Sequence, residues 1–220
     1  MAGDFEERAI AAAMKFAETK GWRRTTLGAI AAEAGLSLAE LYRLFPSRDA
    51  ILSRLMARVD AAVLAGTPVW SDRDSPRDRL FDLLMRRFDA LRDYRPGLRA
   101  ILHDLPWHPS TVVELGKSLN LSMSWMMAAT GQDSPGCRNA LQQLGLAGLY
   151  LSSLRVWLND GTPDLARTMA ALDTGLRRAE ALISLGNGWC ACRLPSSTAP
   201  SLDPTHGPQS VGSAPGPTIG

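Results

Sequence analysis

The chain has 220 residues, 45% of them apolar and 21% charged, enough to bury a substantial core in one domain or two small ones. Lys and Arg total 24 against 22 for Asp and Glu, and a net charge of +2 gives no bulk attraction to nucleic acid or anionic lipid, so any such contact depends on local placement. Three cysteines (Cys137, Cys190, Cys192) are too few for a disulfide framework, the acidic start MAGDFEER is unlike a secretion signal, and no run reaches the ~18 apolar residues of a spanning helix, which together imply a cytoplasmic protein without membrane contact.

Apolar residues recur at helical spacing and alternating strand patterns do not, which predicts an all-α fold. A first helix is expected from Asp4 to Lys20, with Ile10, Ala13, Phe16 and Ala17 on one stripe and Gly21 closing it. Thr26 is placed to cap a second helix, Leu27 to Ala34; Gly35 supplies a left-handed residue, and Ser37 caps a third helix through Phe45. The helix, short turn and helix that result form a helix-turn-helix pair. Pro46 stops the third helix, and Ser47 opens a longer one from Arg48 to about Ala65. The stretch GTPVWSDRDS then has the composition of a boundary, giving a head over residues 1–65 and a helical body over 66–186.

In the body, Ser75 and Pro76 open an amphipathic helix to Tyr94, Pro96 begins a shorter one through Leu105, and Pro109 or Ser110 starts a helix rich in Met and Trp. The last two helices, expected over Pro135 to Asn159 and Pro163 to Leu185, carry leucines three and four apart, a spacing suited to helix-bundle packing. This gives about nine helices in total. The remaining segment, 187–220, is rich in Gly, Pro and Ser and lacks periodicity, so it is expected to be a disordered tail.

No catalytic or metal reading survives. The two histidines of HDLPWHP are separated by Pro106 and so do not share the one helical face that a zinc pair needs. Cys190 and Cys192 have no second ligand pair, and the chain has neither a glycine-rich phosphate loop nor a nucleophile elbow. We expect no enzyme activity, no metal and no cofactor.

The residues IAAAMKFAETKG and TTLGAIAAEAGLSLAELYRLFPSRDAIL carry a resemblance. The order Thr26, Ile30, Ala31, Ala34-Gly35-Leu36-Ser37, Leu41-Tyr42, Phe45, Ser47-Arg48-Asp49, Leu52 is similar to the DNA-binding domain of the tetracycline-repressor family of one-component bacterial regulators. The resemblance implies that Ser37, Leu38, Ala39 and Glu40 form the turn that enters a major groove, and that Thr26, Tyr42 and Arg48 reach phosphates, with Arg23, Arg24 and Arg43 adding positive charge. Tyr42 read alone is equally an amphipathic surface residue, and Glu40 stands between accepting from cytosine and lying on a solvated face.

Three positions depart from the family's pattern. Glu40 replaces a small residue, Leu38 a polar or basic one, and Leu44 a phosphate-contacting His or Tyr. Residues 1–65 carry nine basic and eight acidic side chains, a net of +1, which is little for a domain that relies on counterion release.

In the body, Met85, Phe88, Leu102, Trp107, Met123, Trp125 and Met127, with His103 as a polar handle, are candidates to enclose a small apolar ligand; each taken alone reads better as a core or interface residue. The resemblance implies a dimer through the two C-terminal helices, a double-stranded DNA operator, and ligand binding that lowers operator affinity, the behaviour of a repressor. The alternative is a protein of the same fold that has lost DNA binding and carries an apolar lipid or quinone-like molecule, as the Leu38, Glu40 and Leu44 departures suggest.

Overall fold

The first helix, α1 (Ala2–Lys20), buries Ala9, Ile10, Ala13, Met14 and Ala17 along one stripe and ends at Gly21, whose φ of 80° few other residues adopt. The computed structural model describes residues 2–71, 73–132 and 136–191. A short 3-10 turn, Trp22–Arg24, follows, and its Trp22 is fully buried. Helices α2 (Leu27–Ala34) and α3 (Leu38–Leu44) form the expected pair. Between them Gly35, at φ 64° and ψ 37°, lets its own amide donate to the Ala32 carbonyl and the Leu36 amide donate to the Ala31 carbonyl, closing α2. Helix α4 (Arg48–Ala65) begins at the Ser47 cap and has the expected bounds.

Helix α5 (Pro76–Ala90) ends four residues before the expected Tyr94. A 3-10 turn, Arg92–Tyr94, intervenes because the next helix, α6 (Arg95–Asp104), starts with Pro96 in its first turn, a position that tolerates a missing amide proton where a helix interior does not. Another short turn, Leu105–Trp107, leads into α7 (Pro109–Ala129). Helix α8 (Cys137–Asn159) follows; the Pro135 expected to start it lies outside the described residues.

The last helix, α9 (Ala166–Ala191), starts three residues after the expected Pro163. The delay is caused by Asp160, which is buried and whose two carboxylate oxygens gather the amide and hydroxyl of Thr162 on one side and of Thr168 on the other. This turn holds Leu165 at φ 56° and keeps residues 161–165 out of the helix. At its other end α9 continues across Gly186, Asn187 and Gly188 to Ala191, beyond the expected start of the tail, since extending a formed helix gains a hydrogen bond for each residue fixed. Residues 192–220, including Cys192, lie outside the described residues.

Nine α-helices and no strand are present among the described residues. Helix α1 packs along α6 and α2, α4 along α7, and α8 along α9, so a single buried cluster runs from Ala9 to Leu176. Contact between α1 and α6 is close: a Cβ on Gly97 would lie 2.8 Å from the backbone oxygen of Met14. A buried ion pair is among the links from α4 into the body. Arg87 of α5, 1% exposed, forms an ion pair with Asp60 of α4 and donates from Nε to the Tyr150 hydroxyl of α8 at 3.1 Å. Asp60 also accepts from Ser122 of α7.

Candidate nucleic-acid interface

Helix α3 buries Leu41, packs Leu44 partly against the core, and turns its remaining face to solvent. Leu38 is 61% and Tyr42 74% exposed, and Ala39 and Arg43 beside them are exposed too. Residues four apart on a helix lie one above the other, so Leu38 with Tyr42 and Ala39 with Arg43 make two adjacent rows on one presented face. Leucine and tyrosine so exposed on a seven-residue helix contribute little to the stability of this chain by burial.

The start of α3 is a capping box. Ser37 Oγ accepts from the Glu40 amide at 3.2 Å, while Glu40 Oε2 accepts from the Ser37 amide at 2.8 Å and from the Ser37 hydroxyl at 2.7 Å. Those hydrogen bonds from the Ser37 backbone amide and hydroxyl hold the Glu40 carboxyl below its ordinary range, with a smaller contribution from Arg43. Glu40 thus has a local role at an exposed site, closing the cap of its own helix. The signal was present in the order Ser37-Leu38-Ala39-Glu40, the Ser-x-x-Glu pattern of such a box.

The candidate hydroxyls differ in what they have left to offer. Thr26 Oγ1 accepts from the Ala29 amide at 3.2 Å, a capping bond that uses a lone pair and leaves the hydroxyl proton available to an anion. Ser37 has its proton on Glu40. Thr26 and Tyr42 thus offer exposed hydroxyl donors, and Ser37 acts as the element that fixes the helix start.

Arg48 faces inward. Its Nη1 donates to the carbonyls of Trp22 (2.7 Å) and Thr25 (2.8 Å), and its guanidinium lies 4.4 Å from the centre of the Trp22 ring. Partial burial, only weakly opposed by Asp49, lowers its pKa, and the group remains charged. Around it Trp22 Nε1 donates to Thr111 Oγ1 (3.4 Å), Thr111 donates to Asp49 (2.7 Å), and the Arg23 amide donates to Asp104 (3.1 Å). The turn ahead of α2 is therefore clamped between α4 and the α6–α7 junction. Sequence reading missed Trp22, Asp49, Asp104 and Thr111 here, because each is recognisable only through partners distant in the chain.

Charges in the head are segregated. Arg8, Lys15, Arg54 and Arg58 pair with Asp4, Glu33, Glu6 and Glu7 respectively, while Arg24 and Arg43 are exposed and make no ion pair among the described residues. Apart from the inward Arg48, the net of +1 thus conceals four cations without an ion-pair partner among the described residues: Arg24 and Arg43, together with Lys20 and Arg23, which lie over the rings of Phe16 and Trp107.

The eight ligand-pocket candidates do not share one environment. Phe88, Met123 and Met127 are core, with Phe88 stacked on Tyr150 at 5.1 Å and on Trp157 at 5.6 Å between ring centres. Met85 and Leu102 are partly buried against that core. His103, Trp107 and Trp125 are exposed, and Trp107 lies under the Arg23 guanidinium. Among the described residues no group of three or more His, Cys, Asp or Glu is placed to hold a metal ion, and no helix is long and apolar enough to cross a membrane.

Residues 9–55 match the family described as bacterial regulatory proteins, tetR family. The Nucleoid occlusion factor SlmA of Shewanella loihica is 29% identical over 86 residues, 39% of this chain and 44% of that protein, so the match spans under half of that relative's length. The fold is similar to a TetR transcriptional regulator from Nitrosomonas europaea, with a TM-score of 0.63 at 20% identity over 80% of this chain and 97% of the other. A TetR transcriptional regulator from Rhodococcus sp. RHA1 gives 0.59 at 18% identity over 80% and 96% of the two chains. A tetR-family regulator from Streptomyces coelicolor gives 0.56 at 19% over 84% and 85%. The family match is thus confined to residues 9–55, which hold the helix-turn-helix segment, and the all-helical body behind it is similar in fold to those regulators.

Proposed function

We propose that the chain is a DNA-binding transcriptional regulator that works as a dimer, responds to a small ligand, and represses. The observation that carries the DNA reading is the α3 face, where Leu38, Ala39, Tyr42 and Arg43 are presented to solvent on a helix whose start is locked by its own capping box. In this reading Ala39 and Leu38 meet base edges by apolar contact, as with a thymine methyl, while Thr26, Tyr42, Arg24 and Arg43 neutralise or hydrogen-bond phosphates. Arg48 supports them indirectly by holding the turn that precedes Thr26.

The reading as an apolar carrier without DNA binding rested on Leu38, Glu40 and Leu44. Two of those departures have local explanations, since Glu40 completes the cap and Leu44 packs against the core. Leu141 and Leu144 of α8 are 69% and 68% exposed, and Leu151 is also exposed, which favours a second copy packed against the C-terminal helices. The head over 1–65 and the body over 66–186 would then move as two units, with ligand binding in the body selecting one separation of the paired heads.

Selection from random duplex DNA, run at low and moderate salt, tests this. A recovered palindromic site whose affinity falls steeply with salt is the expected result. Failure to enrich any sequence would leave the carrier reading standing.

A further inference from the structure

Between α4 and α7 lies a half-open groove of about 380 Å³, lined by Ala50, Ser53, Arg54, Met56, Ala57 and Asp60 from one side and Glu114, Lys117, Ser118 and Leu121 from the other. None of the residues singled out above for an apolar ligand borders it. Its polar groups fall into two sets. The acceptors are mostly engaged: Glu114 accepts through Oε1 from Ser53 (2.8 Å), Ser53 accepts from Ser118 (3.0 Å), and Asp60 is held by Arg87 and Ser122. The cations are loosely held: Arg54 stands 3.8 Å from Glu6 with its side chain 51% exposed, and Lys117 stands 4.0 Å from Glu114 with its side chain 72% exposed. At these separations neither pair has hydrogen-bond geometry, so both cations retain donors for a partner. The rest of the lining, Ala50, Met56, Ala57 and Leu121, is apolar.

We infer that this groove binds a small amphipathic organic anion, its charged head between Arg54 and Lys117 and its apolar body over Met56, Ala57 and Leu121. An anion matches because Arg54 and Lys117 both keep unengaged donors, whereas Asp60 is neutralised by Arg87 and Glu114 already has one oxygen engaged by Ser53. The volume lies at the lower end of the ~300–1,000 Å³ of small-molecule sites, which suits a short-chain ligand. Because one wall is α4 and the other α7, an occupant bridging Arg54 and Lys117 ties the helix that follows the helix-turn-helix pair to the body.

Calorimetric titration of the full chain without DNA, using octanoate, octylamine and inorganic phosphate as probes, tests the site independently of the DNA reading. Octanoate is expected to bind saturably, and octylamine and phosphate at least about tenfold more weakly, the scale of one lost charged hydrogen bond. The variant carrying Arg54→Gln and Lys117→Gln should lose at least about tenfold in octanoate affinity. Ala57→Phe, which keeps every charge and fills the groove, should do the same, and so separates blocked binding from any loss of the Arg54–Glu6 pair. Octylamine binding as tightly as octanoate, phosphate binding more tightly than octanoate, or undiminished octanoate affinity in either variant would overturn the assignment.

Discussion

Glu40 and Asp60 are both carboxylates that accept from a serine hydroxyl, yet they hold the molecule together in opposite ways. Glu40 takes its bonds from Ser37, three positions earlier on the same short helix, at an exposed site. Asp60 is buried, and its partners Arg87 and Ser122 come from two other helices, with Tyr150 of a third fixing the arginine from behind. The start of α3 is therefore shaped by contacts within one turn, and the outer face of that helix is left free of structural duties. The interior that joins α4 to the body is shaped by contacts between distant segments, where removal of one partner leaves a buried charge.

The contrast predicts a gradient of mutational effects. Arg87→Met should cost about 3–5 kcal/mol in urea unfolding, because Asp60 would remain buried without its cation. Adding Asp60→Leu to that variant should recover much of the loss, since an apolar pair carries no orphaned charge. A single variant that unfolds like the parent chain would show that the pair does not join the two regions. Gly97→Ala should cost about 1–3 kcal/mol, because the new methyl meets the Met14 backbone, which has no rotamer to adopt. At the local end, Ser37→Ala should cost about 1 kcal/mol, the usual size of a lost cap, and should weaken DNA binding by fraying the start of α3. A loss several times larger would mean that Ser37 has partners beyond its own turn.

The smallest effect concerns acid. Hydrogen bonds from Ser37 lower the folded pKa of Glu40, and those from Thr162 and Thr168, the Thr162 hydroxyl first among them, lower that of Asp160. A carboxylate depressed in the folded state binds its proton more readily when unfolded. Its contribution is thus complete above the unfolded values of about 3.9 for Asp and 4.3 for Glu and is lost as pH falls through the lower folded ones. Unfolding free energies followed from pH 6 downward should decline below about pH 4, and less steeply in Asp160→Asn and Glu40→Gln. Equal slopes in all three chains would mean that these bonds do not distinguish folded from unfolded carboxylates.

The same division explains what was legible in the sequence. Thr26, Gly35, Ser37 and Ser47 act within four residues of themselves, so the bounds of α2 and α4 and the turn between α2 and α3 followed from residue type alone. The cap role of Glu40 is equally local, written in the Ser-x-x-Glu order that starts α3. Arg48 was different in kind: its position suggested a phosphate contact, and its inward turn toward Trp22 depends on a fold that the sequence pattern does not specify. In the body, leucine spacing located α8 but not which leucines face inward. Ala147 and Leu158 are buried with Tyr150 and Trp157, while Leu144 and Leu151 of the same helix are exposed. The late start of α9 was hidden for a related reason, since Asp160 acts on Thr168 across the turn.

The central claim is that the outward face of α3 reads duplex DNA. Its most direct test is the random-duplex selection run side by side on the parent chain and on Tyr42→Asp, a change at an exposed position that leaves the core and the capping box intact. The account predicts one enriched palindrome for the parent chain and none for the variant, with both chains melting at the same temperature. The same palindrome enriched equally by both would contradict it.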